Sequence, residues 1–504
     1  MDSTSNRSES ARSSTPSAAE PAPSFYWFDY ETFGTHPAWD RPCQFAGVRT
    51  DMELNEIDEP MVIYCRQSMD YLPNPIACKV TGLTPQHVNT EGLSENVFIQ
   101  RIVEQIGRPE TCSLGYNSIR FDDEFTRHTL FRNFFDPYEH EYRNGSSRWD
   151  LLDIVRLTRA LRPDGISWPV NEDGSPSNRL EHLSEKNGIE HGHAHDALSD
   201  VRATIDMARL IRRVQPRLFD YAYQHRSKQS VAQQLSTSNA QISLLISGTI
   251  PSHRSHIAAI LPLVTLPDNR NSVIVLDLEQ DPSELLNMDS EDIAQRVFSR
   301  PANDCNEPTP YRPGLRTVQI NKYPVVVPLK TMRPNDAERL GIDLQRIEKH
   351  ADLARRLHDP DRQQKIISAM TRTWPETSTD VEGSLYSGSF LSQSDKQRAT
   401  QLRQSGSVSL NDISGHFEDR RLIELAWRYQ ARNYPDSLDA EQRLNWKEHC
   451  RTKLNDASAP WLTFEQFDRE IAATSWSENE SALKQALIDY RDHVYHHTEF
   501  TEQS

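Results

Sequence analysis

Residues 25–31 read Phe25-Tyr26-Trp27-Phe28-Asp29-Tyr30-Glu31. A run this rich in aromatics is β-prone. Alternation along a strand sends Asp29 and Glu31 to one face and Phe28 and Tyr30 to the other. Two carboxylates on one strand face suit a divalent cation held at a sheet. The same pair also occurs on ordinary solvated sheets, so the spacing alone leaves both readings open.

Working outward, residues 44–49 and 61–65 read as two further short strands, and three early strands joined by short polar turns predict an antiparallel start to a sheet. Residues 96–106 place Val97, Ile99, Ile102, Val103 and Ile106 at helical spacing, 112–116 read as a short buried strand, and 121–131 as a helix. Residues 149–161 and 197–214 also read as helices. Strands followed by alternating helices predict an α/β or mixed domain over 25–214. Short β-branched runs at 242–246, 273–278 and 318–328 predict a smaller β-rich or mixed unit over 215–358. Amphipathic stretches at 420–429 and 481–495 predict a helical unit over 359–500.

Composition agrees with several packed units. At 504 residues the chain exceeds one hydrophobic core. Nine Trp, sixteen Tyr and seventeen Phe supply core material, and no run approaches the length of a membrane span, so no membrane partner is expected. Residues 1–24, rich in Ser, Pro, Thr and Ala without an apolar stretch, predict a disordered tail rather than an export signal. Cys43, Cys65, Cys78, Cys112, Cys305 and Cys450 are scattered without CxxC pairs, which predicts reduced thiols and a cytoplasmic protein. The net charge of −17 argues against a polyanionic partner. Arginines gathered between 148 and 228, Arg156, Arg159, Arg162 and Arg179 among them, still allow a local basic surface; each reads equally well as a residue of a solvated helix face.

More chemistry-bearing residues follow. Asp122 comes after Gly115-Tyr116-Asn117-Ser118-Ile119-Arg120-Phe121, where a buried strand turns into a helix, and precedes Asp123 and Glu124. The trio also reads as a helix N-terminus favoured by the macrodipole. In His191-Gly192-His193-Ala194-His195-Asp196-Ala197-Leu198-Ser199-Asp200, a spacing of five lets the His195 imidazole and the Asp200 carboxylate look into one cleft. Three histidines invite a zinc reading, yet the partner cysteines and the His-Glu-x-x-His helix of common zinc sites are missing.

Taken in order, Asp-x-Glu on the first strand, Asp at a strand-to-helix junction and His-x4-Asp at a late helix resemble the DEDDh 3′→5′ exonucleases. Further stretches resemble the exonuclease I family in particular. They include Phe28 to Pro37, Arg148-Trp149-Asp150-Leu151-Leu152-Asp153, Arg179-Leu180-Glu181-His182-Leu183, Gln319-Ile320-Asn321-Lys322-Tyr323-Pro324 and Ala431-Arg432-Asn433-Tyr434-Pro435. The resemblance spans residues 27–495.

It implies an α/β fold: a ribonuclease-H-like DEDD exonuclease domain, then an SH3-like domain and a C-terminal helical domain, around single-stranded DNA. The implied activity is 3′→5′ hydrolysis of single-stranded DNA to 5′-mononucleotides, in repair and recombination. By the same resemblance, Asp29, Glu31, Asp122 and Asp200 are catalytic and hold two Mg²⁺, with Mn²⁺ as a substitute, and His195 is the general base, a role typically contributing about 10²–10⁴-fold. Arg179 falls at the terminal nucleotide near the metals, and Glu31 is implied as substrate-binding as well. Arg127, Tyr138, Tyr142, Arg156 and Arg162 match positions of DNA or partner contact. Arg162 and Tyr221 match a docking surface for the acidic C-terminal tail of single-stranded-DNA-binding protein, and a monomer is expected.

One loop, Gly248-Thr249-Ile250-Pro251-Ser252-His253-Arg254-Ser255-His256, departs from the aromatic, Gly-rich character of that family. A DEDDh exonuclease acting on RNA shares the five chemical residues, but its resemblance stops at the first domain. A non-catalytic DNA-binding scaffold would retain the fold without the chemistry.

Overall fold

The computed structural model describes residues 22–192, 196–298, 311–371, 380–388, 390–406 and 416–499. The first unit is built on strands β1 (Ser24–Thr32), β2 (Pro42–Thr50), β3 (Met61–Tyr64), β4 (Thr111–Gly115) and β5 (Ser147–Asp150). Their order is β3-β2-β1-β4-β5. β1–β2 and β2–β3 are antiparallel, as expected, whereas β1–β4 and β4–β5 are parallel. The expected tail at 1–24 falls outside the described residues up to residue 21, and Ser24 already belongs to β1.

Its helices are α1 (Pro75–Thr81), α2 (Pro85–Glu91), α3 (Glu95–Ile106), α4 (Asp122–Arg132), α5 (Leu151–Leu161), α6 (Leu180–Asn187) and α7 (Ala197–Val214). The expected helix at 149–161 starts two residues late. Trp149 and Asp150 pair with Leu114 and Gly115 in the sheet, and the Asp150 carboxylate then accepts the Leu152 N–H at 3.0 Å to cap α5.

The alternation of β1 separates two cores. Phe25 and Trp27 face α7 and join Val201, Ala203, Ile205 and Ala208. Tyr26, Phe28 and Tyr30 point the other way onto Phe45, Phe98, Ile99 and Ile102 of β2 and α3. Burying each large apolar side chain contributes about 1.5–3 kcal/mol, so a one-residue slip of β1 would exchange these cores and is strongly disfavoured.

The second unit is an antiparallel sheet of β6 (Ser243–Ile246), β7 (Ile257–Thr265), β8 (Ser272–Asp277), β9 (Leu315–Gln319) and β10 (Val325–Pro328), ordered β10-β6-β7-β8-β9. The run at 318–328 divides at a turn through Ile320–Lys322, with Tyr323 at φ 48°. Helix Pro360–Met370 packs against β7 and helix Ser290–Phe298, so by packing this unit continues beyond residue 358.

The third unit is helical, as expected, with Gln393–Ser405, Arg420–Asn433, Ala440–Asn455, Phe464–Ala473 and Ser481–Thr498. Leu487, Tyr490 and Val494 of the last helix pack with Phe33, Tyr71 and Leu72 of the first unit. Cys43, Cys65, Cys78, Cys112 and Cys450 are buried free thiols; Cys305 lies outside the described residues. Among the described residues, no helix is long and apolar enough to cross a membrane.

Candidate active site

Where α7 leaves the C-terminal end of β1, the face that carries Phe25 and Trp27 continues with Asp29 and Glu31. α7 starts above this end, capped by the Asp196 carboxylate on the Ser199 N–H at 3.1 Å. Its first turn carries Asp200. Asp29, Glu31 and Asp200 each offer an oxygen within 4.8 Å of the others. Asp122, first residue of α4, joins them from the parallel neighbour β4, its Oδ1 accepting the Tyr30 N–H at 3.1 Å. That approach depends on Gly115, where a Cβ would lie 2.5 Å from the Phe28 carbonyl oxygen.

Packing four acids together is electrostatically costly. Burial first, then Asp122, Glu31 and Asp200, push the Asp29 carboxyl well above its ordinary range. Burial, Asp200 and Asp122 push Glu31 up to about 9. Asp122 is raised by burial and by Asp123, against the opposing Tyr30 N–H. Buried like charges of this kind are relieved by a cation. An all-oxygen donor set fits a hard divalent ion such as Mg²⁺ or Mn²⁺. The His191 Nε2 rests against Asp200 Oδ1. His195, the expected general base, lies outside the described residues.

Two cavities meet at this cluster. One of about 660 Å³ is lined by Leu152, Arg156, Asn178, Arg179, Glu181, Thr204 and His256. The other, about 520 Å³, is lined by Glu31, Thr35, Ile76, Val80, Phe121 and Asp122. Both include Asp29, Asp200, Tyr116 and Asn117, so they form one trough over the carboxylates. It opens where parallel strands β1 and β4 end, the usual place for a ligand in such a sheet.

The structure thus brings Asp29, Glu31, Asp122, Asp200, Arg156 and Arg179 together. It places the other candidates elsewhere. Arg127 is 6% exposed. Its Nε donates to Glu141 at 2.7 Å and its Nη1 to Glu124 at 2.8 Å and to Tyr386 Oη at 3.3 Å, a buried tie that lines neither half of the trough. Tyr138 lies beneath the Arg127 guanidinium and beside Phe390, in a separate cavity of about 140 Å³. Tyr142 is 63% exposed and lines neither half of the trough. Arg162 joins the first two units, donating to Asp336 at 3.1 Å and to the Thr331 carbonyl at 2.9 Å.

Trp27, Phe28, Tyr30 and Phe33 are at most 3% exposed and pack as core. Sequence reasoning singled out neither Tyr116 nor Asn117 as a trough residue, although both stand in the Gly115-to-Asp122 stretch that carries the resemblance. His256, from the departing loop, also reaches the trough.

Comparison with known proteins agrees with this architecture. Residues 26–208 match the family model of an exonuclease domain, 226–371 that of the exonuclease I SH3-like domain, and 379–495 that of the exonuclease I C-terminal domain. Exodeoxyribonuclease I of Escherichia coli K12 is 43% identical over 429 residues, 85% of this chain and 89% of the relative. The crystal structure of E. coli exonuclease I in complex with a dA16 oligonucleotide superposes with a TM-score of 0.87 at 39% identity, covering 94% of this chain and all of the other. The ExoI/SSB-Ct complex superposes with a TM-score of 0.85, also at 39% identity, over the same shares of the two chains. Three family models in the expected order, and a relative so similar along most of its length, make this chain a member of the exonuclease I family of exodeoxyribonucleases.

Proposed function

We propose that the chain removes nucleotides from the 3′ end of single-stranded DNA as 5′-mononucleotides in a divalent-metal-dependent reaction. The carrying observation is the convergence of the Asp29, Glu31 and Asp200 oxygens within 4.8 Å at the junction of two cavities. Asp29, Glu31, Asp122 and Asp200 would hold two Mg²⁺, and Mn²⁺ is expected to substitute. When bound, such ions stabilise both the attacking and the leaving oxygen of an in-line displacement at phosphorus.

The protein's own groups then have distinct tasks. His195 takes a proton from the attacking water, as an imidazole with an ordinary pKa of about 6.5 is suited to do. Arg179, at the N-terminal end of α6, and Arg156, on α5, neutralise phosphate charge along the trough. Contacts to the backbone and to base faces are tolerant of sequence. E. coli exonuclease I has been crystallised with single-stranded oligonucleotides, which supports the same substrate here.

A partner surface follows from a second cluster. Arg162, Arg333 and Arg339 surround one buried carboxylate, Asp336, leaving net positive charge. Tyr221, stacked on His225, and the Leu329–Lys330 edge add apolar surface on the same side of the second unit. We assign this surface to the acidic C-terminal tail of single-stranded-DNA-binding protein, in keeping with the ExoI/SSB-Ct complex. Arg333→Glu is expected to weaken binding of a tail peptide at least about tenfold. The protein is read as a cytoplasmic monomer of DNA repair.

The activity test uses 5′-labelled single-stranded DNA, duplex DNA and RNA of one sequence, with Mg²⁺ or EDTA, and an Asp29→Ala control. Mg²⁺-dependent shortening of the DNA single strand from its 3′ end is expected. Faster loss of RNA would replace this reading with a ribonuclease, and binding without degradation would replace it with a scaffold.

A further inference from the structure

The connection from β4 to α4 crosses the middle of the trough, and its conformation is held from outside. Asp150, at the end of β5 and 6% exposed, pairs in register with Gly115. Its Oδ1 accepts the Asn117 N–H at 2.9 Å and the Leu152 N–H at 3.0 Å, and its Oδ2 accepts the Ile119 N–H at 3.2 Å. One carboxylate therefore caps α5 and straps down two residues of the crossing segment. A single N-cap needs only the first of these tasks.

The strapped segment is unusual where it meets the trough. Asn117 adopts φ 66° and ψ 18°, a left-handed conformation that is costly for most side chains, less so for Asn, and that persists where the surroundings hold it. Its amide is half-buried, lines both cavities beside Asp29 and Asp200, and makes no hydrogen bond among the described residues. Asp122, five residues on, is anchored separately by the Tyr30 N–H. The strap thus acts chiefly on Asn117.

We infer that Asn117 is a substrate-contacting residue of the trough, its amide hydrogen-bonding the sugar-phosphate backbone of the terminal nucleotide, and that Asp150 is the residue that positions it. This rests on the trough being the single-stranded DNA site. Free donors and acceptors at the junction of the cavities suit a phosphodiester oxygen or a sugar hydroxyl, and neither depends on base identity. Misplacing such a contact by about 1 Å can cost about 10²-fold in rate, which is why a buried carboxylate with three amide partners matters to turnover as well as to folding.

The test compares Asn117→Gly, Asp150→Ser and the double variant on a single-stranded oligonucleotide, with melting curves alongside. Glycine accepts the left-handed backbone, so Asn117→Gly removes only the amide. Serine caps α5 but cannot reach the Asn117 and Ile119 amides. Each single variant is expected to lose about 10–100-fold in kcat/KM with the same split between KM and kcat. The double variant is expected to be no worse than the weaker single, because the two act as one unit.

Wild-type activity in Asn117→Gly would overturn the contact. Wild-type activity in Asp150→Ser, or multiplied losses in the double, would overturn the positioning. If Asp150→Ser does not fold, Asp150→Asn, which sets an NH₂ against the Ile119 amide, takes its place under the same criteria. If the wild-type protein itself leaves the oligonucleotide intact, the functional reading falls, and this inference with it.

Discussion

Arg432 donates from Nη2 to Asp70 Oδ2 at 2.5 Å, across 362 residues of sequence. Both are buried, Asp70 completely. Lys453 Nζ reaches the same oxygen at 2.7 Å. Arg432 also donates to Glu382, which accepts from Arg41 at 2.5 Å and from Arg428 at 3.1 Å. Acid and base from the catalytic unit, Asp70 and Arg41, are thereby interlocked with base and acid from the helical unit.

Removing Asp70 takes the paired carboxylate from buried Lys453 and leaves Arg432 with Glu382 alone, a loss that costs about 3–5 kcal/mol. Asp70→Ala is expected to lower the free energy of unfolding by about that amount, read as a shifted urea midpoint. Asp70→Ala combined with Arg432→Ala should cost less than the two singles added together. Strict additivity would show that the two residues do not act as a pair.

The same network sets an acid limit. Burial alone would raise the Asp70 carboxyl, but Arg432 and Lys453 reverse this and hold it well below its ordinary value. Glu382 is likewise depressed by Arg41, Arg432 and Lys453 against burial. For a depressed carboxyl, the stabilisation is complete above the unfolded pKa, about 3.9 for Asp and 4.3 for Glu. It is lost as pH falls through the folded value. Melting temperature is therefore expected to fall steeply below about pH 4, and less steeply in Asp70→Ala. Parallel pH profiles for the two proteins would contradict this origin.

None of that network is visible in the sequence, since contacts between residues hundreds of positions apart leave no local pattern. What was legible is what repeats locally. Alternation at 25–31 separates the face of Asp29 and Glu31 from that of Phe28 and Tyr30; that both faces are core shows only in the structure. Trp149 and Asp150 run into the helical pattern of α5, because the four-residue strand β5 is too short to show a period of its own. Strand β7 is hidden in the sequence because Pro262 interrupts its apolar run; the strand absorbs this proline at a register shift between Pro262 and Val264. A motif carries residue identity but not burial, so the ties of Arg127 to Glu141 and Glu124 have no local signature.

Crowding of acids at the active site implies a stability cost. With no divalent ion present, the raised Asp29 carboxyl must be kept protonated in the cluster, a cost above the unfolded pKa that Asp29→Asn avoids, so the variant is expected to raise the melting temperature in EDTA while abolishing hydrolysis. Mg²⁺ is then expected to stabilise the wild type, by about 2.7 kcal/mol at a hundred times its dissociation constant, and to do little for the variant. Equal Mg²⁺-induced shifts in both proteins would mean that the ion binds somewhere other than this cluster.

The contrasting surroundings of Arg179 and Arg127 separate a phosphate contact from a structural one. Each phosphate neutralised on a single strand contributes about 0.7 to the slope of log affinity against log salt. Arg179→Ala, in the trough, is expected to weaken binding of a single-stranded oligonucleotide and to reduce that slope by about 0.7, with an unchanged melting temperature. Arg127→Ala takes one of two cations from each of Glu141 and Glu124, leaving Arg148 and Lys322; it should lower the melting temperature and leave the salt slope as it was. Fluorescence anisotropy at several salt concentrations, measured on catalytically inactive Asp29→Ala background proteins, decides between the two. A reduced slope for Arg127→Ala would place that guanidinium on the DNA path despite its burial.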